Sequence, residues 1–164
     1  MSDRLSFEVA RVAERLSAGH QRLATAESCT GGWIAKVCTD VAGSSAWFER
    51  GFVTYSNESK QEMLGVSADA LAGQGAVSEP VVREMALGAL HNSHAHWSLA
   101  VSGIAGPGGG SVDKPVGMVW FAWAGPQDRL LTRCSHFDGD REAVRLQTVQ
   151  TALQVLSELL ADVP

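Results

Sequence analysis

Apolar residues follow two different periodicities along this chain, and together they predict alternating helices and strands. They recur every three or four positions in residues 7–16 and again in residues 140–161, where the stripe comprises Leu146, Val149, Leu153, Leu156 and Leu160. This spacing predicts an amphipathic helix near each end of the chain. Runs rich in β-branched and aromatic residues at 23–26, 48–55, 97–101, 116–124 and 129–136 predict five strands.

The segments between these strands predict the remaining elements. Residues 33–37, 58–64, 68–72 and 81–90 have helical composition, and Ser78 followed by Glu79 and Pro80 is typical of a helix start. The segment 125–128, Gly-Pro-Gln-Asp, has the composition of a hairpin turn between the last two strands. Helices alternating with strands, with one hairpin, predict an α/β fold: a three-layer α/β/α sandwich around a mixed, mostly parallel sheet of about five strands with one antiparallel strand.

Composition narrows the function classes. The chain has 164 residues, which fits a single domain over 1–164, and a net charge of −5 without any basic stripe, which argues against nucleic acid as a partner. No signal peptide is visible, and no apolar run is long enough to cross a bilayer. The three cysteines, Cys29, Cys38 and Cys134, follow no disulfide spacing. We therefore expect a cytoplasmic protein that partners neither nucleic acid nor membrane.

The size of the chain also bears on its assembly. Domains of this kind often form symmetric oligomers, so we expect a homo-oligomer, with a dimer favoured. Trp47 and Phe48 are candidates for the subunit contact.

The segment around Ser28 is the first candidate for chemistry. A predicted strand ends just before this segment. Ser28 and Thr30 flank Cys29, and Gly31 and Gly32 lead directly into a predicted helix, so unpaired amides converge near Ser28. This geometry suits a serine nucleophile, with the amides of Thr30, Gly31 and Gly32 as an oxyanion hole. The alternative is a capped turn in which Ser28 or Thr30 only accepts a backbone hydrogen bond. Cys29 is a rival nucleophile, but no histidine is placed by sequence to activate it.

Lys60 and Tyr55 follow the second strand, at the same edge of the predicted sheet as Ser28. A partly buried lysine loses its proton readily, so Lys60 is a candidate to accept the proton of Ser28, and Tyr55 is a candidate to position that lysine or relay the proton. The alternative is a solvated helix lysine and an aromatic residue at the edge of the sheet.

Two further groups point to ligand binding at that edge. The loop 103–110 is dense in glycine, which allows close approach to a ligand, but it matches neither a dinucleotide-binding nor a P-loop pattern. Arg141 and Arg145 lie four residues apart at the start of the last helix, where two cations oppose the helix dipole. A bound anion such as phosphate would explain the pair; neutralisation by Asp138, Asp140 and Glu142 is the alternative.

The three histidines at 91, 94 and 96 suggest a metal site. They lie in a predicted solvated turn, and no carboxylate or cysteine completes a ligand set. We therefore expect no metal.

Several motifs, in order, resemble the CinA C-terminal domain family. They are the segments 26–32, 55–57 with Lys60, 75–78, 102–109 and 114–117, and the resemblance extends over almost the whole chain, from about Leu5 to Leu160. Members of this family are nicotinamide-nucleotide amidases, which hydrolyse the carboxamide of nicotinamide mononucleotide to nicotinate mononucleotide and ammonia in pyridine nucleotide recycling.

The resemblance implies a role for each matching residue. Ser28 would be the nucleophile and Lys60 its general base, assisted by Tyr55, with neither a metal nor another cofactor required. We expect Thr30, Gly31 and Gly32 to hold the oxyanion. Ser102, Gly103 and Gly106 would contact ribose or pyridine, and Arg141 or Arg145 would bind the phosphate. Two alternatives remain: a binding module of the same fold without turnover, and hydrolysis of another small amide.

Overall fold

The computed structural model describes residues 2–162 and contains six α-helices, one short 3-10 helix (Ser44–Ala46) and five strands within them. The helices are α1 (Asp3–Ala18), α2 (Trp33–Thr39), α3 (Asn57–Leu64), α4 (Ala68–Gln74), α5 (Glu79–His91) and α6 (Arg141–Ala161). The strands are β1 (Leu23–Glu27), β2 (Phe48–Val53), β3 (Trp97–Gly103), β4 (Met118–Gly125) and β5 (Arg129–His136). Each predicted element is present, with ends shifted by a few residues at most.

The strands form one sheet in the order β2-β1-β3-β4-β5. Strand β1 lies between β2 and β3 and pairs in parallel with both, whereas β4 is antiparallel to both β3 and β5. Four strands therefore run in one direction and only β4 runs against them. This confirms the predicted mixed sheet with a single antiparallel strand.

The two faces of the sheet carry side chains of very different size. Leu99, Val101, Phe121 and Trp123 pack on one face together with residues of α1, α2 and α6. The opposite face presents alanines, including Ala26, Ala100 and Ala122, to α3, α4 and α5. Because alanine is small, α5 approaches the strands closely, and the cleft described below lies on this alanine face.

The predicted hairpin turn and the apolar stripe of the last helix are both present. The β4–β5 hairpin turns at Gln127 and Asp128, whose φ angles of 61° and 57° are typical of a type I′ turn. The predicted stripe of α6 packs into the core.

One expectation about the surface is wrong. Trp47 is buried at 2% exposure in the core shared with α1, α2 and α6, and its ring makes a T-shaped contact with that of Phe48. Trp47 is therefore no subunit contact, and the expected homo-oligomer stays a prediction. Among residues 2–162, no helix has both the length and the apolar character needed to cross a membrane.

Candidate active site

Three hydroxyl side chains lie side by side where the three parallel strands end. The pairing of Glu27 with Val53 and with Val101 aligns the next residue of each strand: Ser28, Thr54 and Ser102. The ladder continues through this row, because Thr54 N donates to Glu27 O at 2.9 Å and Ser28 N donates to Val101 O at 3.1 Å. Ser28 is therefore held at the centre of the row by regular sheet pairing.

Lys60 reaches this row from α3. Ser56 caps that helix by accepting a hydrogen bond from Ser59 N, which places Lys60 in the first turn with its side chain against the strand ends. Its Nζ donates to Ser28 Oγ at 2.9 Å and to the carbonyl oxygens of Thr54 and Tyr55 at 2.6 and 3.2 Å. The side chain is only 1% exposed, so the solvated alternative is wrong.

The environment of Lys60 disfavours its charged form. Burial lowers the pKa of Lys60 to about 8. In the described part of the chain, no carboxylate forms a salt bridge with the ammonium group. An amine with such a pKa, hydrogen-bonded to a serine hydroxyl, can accept that hydroxyl's proton near neutral pH.

Cys29 has the opposite character. Burial, followed by the negative charge of Glu27, raises the pKa of the Cys29 thiol to about 12. The thiol is therefore protonated at neutral pH and a poor nucleophile. Of the two neighbouring candidates, the environment favours Ser28.

The turn after Ser28 is fastened from within by Glu27, whose contribution sequence reasoning missed. Its carboxylate is 1% exposed and accepts hydrogen bonds from Thr30 Oγ1 at 2.5 Å, Ile34 N at 2.8 Å and Ala35 N at 3.0 Å. Glu27 thus caps α2, for which the preceding residue Gly32 supplies no side chain. A glutamate one residue before the candidate nucleophile Ser28, at the end of a buried strand, was the available signal.

Gly31 and Gly32 shape the same turn. Their φ angles of 59° and 103° lie in the left-handed region, which allows the chain to reverse within two residues. Gly31 N donates to Ser28 O at 3.1 Å, so this amide is already engaged. Within residues 2–162, no backbone carbonyl accepts a hydrogen bond from the amides of Cys29, Thr30 or Gly32.

Ser28 opens onto a cleft of about 210 Å³. It is lined by Ser28, Cys29, Tyr55, Lys60, Ala76, Val77, Ser102, Gly103, Ala105 and Arg141. Ser102 Oγ donates to Ala76 O at 2.9 Å, and a side chain at Gly103 would approach Val119 Cγ2 to 2.6 Å. Ala76 and Val77, between α4 and α5, are cleft residues that carry no recognisable chemistry in the sequence.

Arg141 and Tyr55 meet at the mouth of this cleft. Arg141 Nη1 donates to Gly106 O at 2.7 Å, and its Nη2 donates to Tyr55 Oη at 3.2 Å. The phenol of Tyr55 is 62% exposed and lies beside Arg141, whereas its carbonyl oxygen contacts Lys60. The assistance that we expect from the Tyr55 phenol stays a prediction. Gly106 contacts the site through its carbonyl oxygen, which accepts the hydrogen bond from Arg141.

Arg145 points elsewhere. Its Nε donates to Cys29 O at 3.0 Å, its Nη2 donates to Thr30 O at 3.1 Å, and its guanidinium lies 5.5 Å from the ring centre of Trp33. The two arginines therefore make different contacts: Arg141 lines the cleft, and Arg145 donates to two carbonyls of the turn after Ser28.

The histidines are separate from the cleft. His96 Nδ1 accepts a hydrogen bond from Arg22 N at 3.0 Å, at the opposite end of β3 from Ser102. The part of the chain from 2 to 162 contains no group of three histidine, cysteine or carboxylate side chains that could hold a metal ion.

Comparison with known proteins assigns the chain to a family. Residues 7–160 match the family described as CinA C-terminal domain. The chain is 60% identical to the nicotinamide-nucleotide amidohydrolase PncC of Escherichia coli K12 over 89% of this chain and 88% of that protein. It is 52% identical to the protein of the same name from Pseudomonas putida over 96% and 98% of the two chains. The crystal structure of the competence/damage inducible protein CihA from Agrobacterium tumefaciens superposes with a TM-score of 0.95 at 43% identity, covering 99% of this chain and 98% of that one. The chain therefore belongs to the CinA C-terminal domain family.

Proposed function

We propose that this protein hydrolyses the carboxamide of nicotinamide mononucleotide to nicotinate mononucleotide and ammonia through an acyl-enzyme on Ser28, a reaction that recycles the pyridine nucleotide. The observation that carries the proposal is the 2.9 Å contact between Lys60 Nζ and Ser28 Oγ in a buried setting. The relatives from E. coli and P. putida, whose names specify a nicotinamide-nucleotide amidohydrolase, support the substrate class.

The first half of the reaction forms the acyl-enzyme. Neutral Lys60 accepts the hydroxyl proton of Ser28 as Ser28 Oγ attacks the carboxamide carbon. The carbonyl oxygen becomes an anion, which amides of the turn after Ser28 stabilise. Lys60 then gives its proton to the departing nitrogen, the C–N bond breaks, and ammonia leaves an ester on Ser28.

The second half returns the enzyme to its starting state. Water takes the place of ammonia beside Lys60 and loses a proton to it while attacking the ester carbonyl. Collapse of this intermediate breaks the bond to Ser28 Oγ, which is reprotonated by Lys60, and releases the nicotinate product. One lysine thus serves both halves, first as the base and then as the acid in each.

Arg141 is the phosphate-binding residue in this proposal, because its side chain lines the cleft and that of Arg145 does not. Arg141→Ala is expected to raise KM for nicotinamide mononucleotide by on the order of tenfold to fiftyfold and to change kcat much less. Nicotinamide riboside, which lacks the phosphate, is the matched substrate and is expected to lose little. Equal effects on both substrates would contradict the assignment.

The function is tested by measuring ammonia and nicotinate mononucleotide released by the purified protein, with and without a chelator. We expect stoichiometric products, equal rates in both conditions, and a transient adduct on the Ser28 peptide detectable by mass spectrometry after rapid acid quenching. Binding of the nucleotide without products would favour the non-catalytic binding module. Turnover of a different amide would retain the chemistry and replace the substrate, and loss of activity with chelator would implicate a metal.

A further inference from the structure

The peptide groups that follow Ser28 are each fixed by their carbonyl oxygen. In a trans peptide, the carbonyl and the amide of one peptide group point in opposite directions. The carbonyl of Ser28 accepts from Gly31 N at 3.1 Å, so the amide of Cys29 faces away from that contact. The carbonyl of Cys29 accepts from Arg145 Nε at 3.0 Å, so the amide of Thr30 faces away from α6.

Arg145 is held for this contact by its own surroundings. Its side chain crosses from the first turns of α6 to the turn after β1, stacks on Trp33 and contacts Thr30 O through a second nitrogen. A planar guanidinium can satisfy two carbonyls at once from a fixed position, which a lysine ammonium does not reproduce. Arg145 Nη2 also passes close to Gly31: a Cβ atom added to that glycine would lie 3.6 Å from it.

We propose that Arg145 is a positioning residue: by holding the carbonyl oxygens of Cys29 and Thr30 it fixes the turn that presents Ser28 and the amide of Cys29, an oxyanion donor that lines the cleft. The inference rests on the proposed amide hydrolysis and deepens it. It replaces the phosphate role for Arg145 and assigns the oxyanion donor to the amide of Cys29, since Thr30 is fully buried and the amide of Gly31 is engaged with Ser28 O.

The proposal predicts a specific kinetic change in Arg145→Ala. The kcat for nicotinamide mononucleotide is expected to fall by on the order of 10- to 100-fold, because one donor is loosened rather than removed, while KM stays within about threefold. Arg145→Lys keeps the charge but not the paired contact, and is expected to remain within a few-fold of the alanine variant. Added ethylguanidinium is expected to restore part of the activity of Arg145→Ala. Arg141→Ala, with its rise in KM, is the matched comparison.

A second measurement does not depend on the nucleotide. A fluorophosphonate probe phosphonylates an activated serine: the Ser28 Oγ–P bond forms, the P–F bond breaks, fluoride leaves, and the hydroxyl proton passes to Lys60. The developing negative charge on the phosphoryl oxygen uses the same amide donor, so labelling of Arg145→Ala is expected to slow in parallel with kcat. Thermal unfolding of each variant verifies that it is folded, and Arg145→Lys serves if the alanine variant is not.

Each other outcome overturns the inference. A rise in KM for the nucleotide, with unchanged rates for nicotinamide riboside and the probe, would return Arg145 to the phosphate. Full activity in Arg145→Lys would reduce its role to charge, and unchanged kcat and labelling in Arg145→Ala would remove the role. If the wild type is labelled but releases no ammonia from the nucleotide, the proposed function fails and the labelling rates alone decide on Arg145. If the wild type is not labelled at all, Ser28 is not activated and both proposals fail.

Discussion

Replacing Lys60 with methionine is expected to lower kcat for ammonia release by on the order of 10³- to 10⁴-fold, and Ser28→Ala by at least as much. Methionine fills similar space but can neither accept the proton of Ser28 nor return it to the leaving nitrogen. Lys36→Met is the matched control, because Lys36 lies on α2 with its side chain 68% exposed and paired only with Asp40. Ser45→Ala, at an exposed position, is the matched control for Ser28→Ala.

The pH dependence of the wild type tests the same residue without mutation. The active form holds Lys60 neutral, and its pKa is lowered to about 8, so kcat/KM is expected to rise from pH 7 and level off above pH 9. Lys60→Arg remains charged throughout this range and is expected to be inactive at every pH. A flat profile between pH 7 and 9, or substantial turnover by Lys60→Met, would show that another group takes the proton.

Much of the scaffold was predictable because its determinants are local. Apolar periodicity predicted α6 and its stripe, and the small residues and glycines after β1 predicted a tight strand-to-helix turn. Parallel pairing then brings Ser28 and Ser102 into one row, as expected for strand ends at one edge of a sheet. The burial of Lys60 was not predictable. A polar helix on the surface and a polar helix packed over the strand ends have the same sequence pattern.

The two arginines show contacts that sequence reasoning could not reach. Their spacing of four residues predicts a shared face of α6, where either was a candidate to bind the phosphate. The structure separates them through contacts distant in sequence: Arg145 bonds to Cys29 O, 116 positions away, and Arg141 bonds to Gly106 O, 35 positions away. Such partners are set by the packing of α6 across the sheet. No local pattern in the sequence encodes them.

The second large effect is expected at Glu27, where stability and activity depend on one carboxylate. Glu27→Ala removes the acceptor for Thr30 Oγ1 and for the amides of Ile34 and Ala35, and leaves a cavity beneath the turn. We expect the free energy of unfolding to fall by about 3 kcal/mol, because three donors lose their acceptor in a buried place. Turnover is expected to fall by on the order of 10³-fold, since the same turn carries Ser28 and the amide of Cys29.

Denaturant unfolding and ammonia release, measured on the same preparations, distinguish a damaged cap from a damaged site. Ser2→Ala is the matched control: Ser2 Oγ caps α1 by accepting from Leu5 N at 3.2 Å and does not line the cleft, so its loss is expected to cost about 1 kcal/mol without changing kcat. Glu27→Gln retains one acceptor oxygen and is expected to fall between the wild type and Glu27→Ala in both measurements, since either orientation of the amide leaves a helix N–H unpaired. If Glu27→Ala were destabilised but retained wild-type kcat in its folded fraction, the turn would keep its shape without the carboxylate, and Arg145 alone would fix the amide donor.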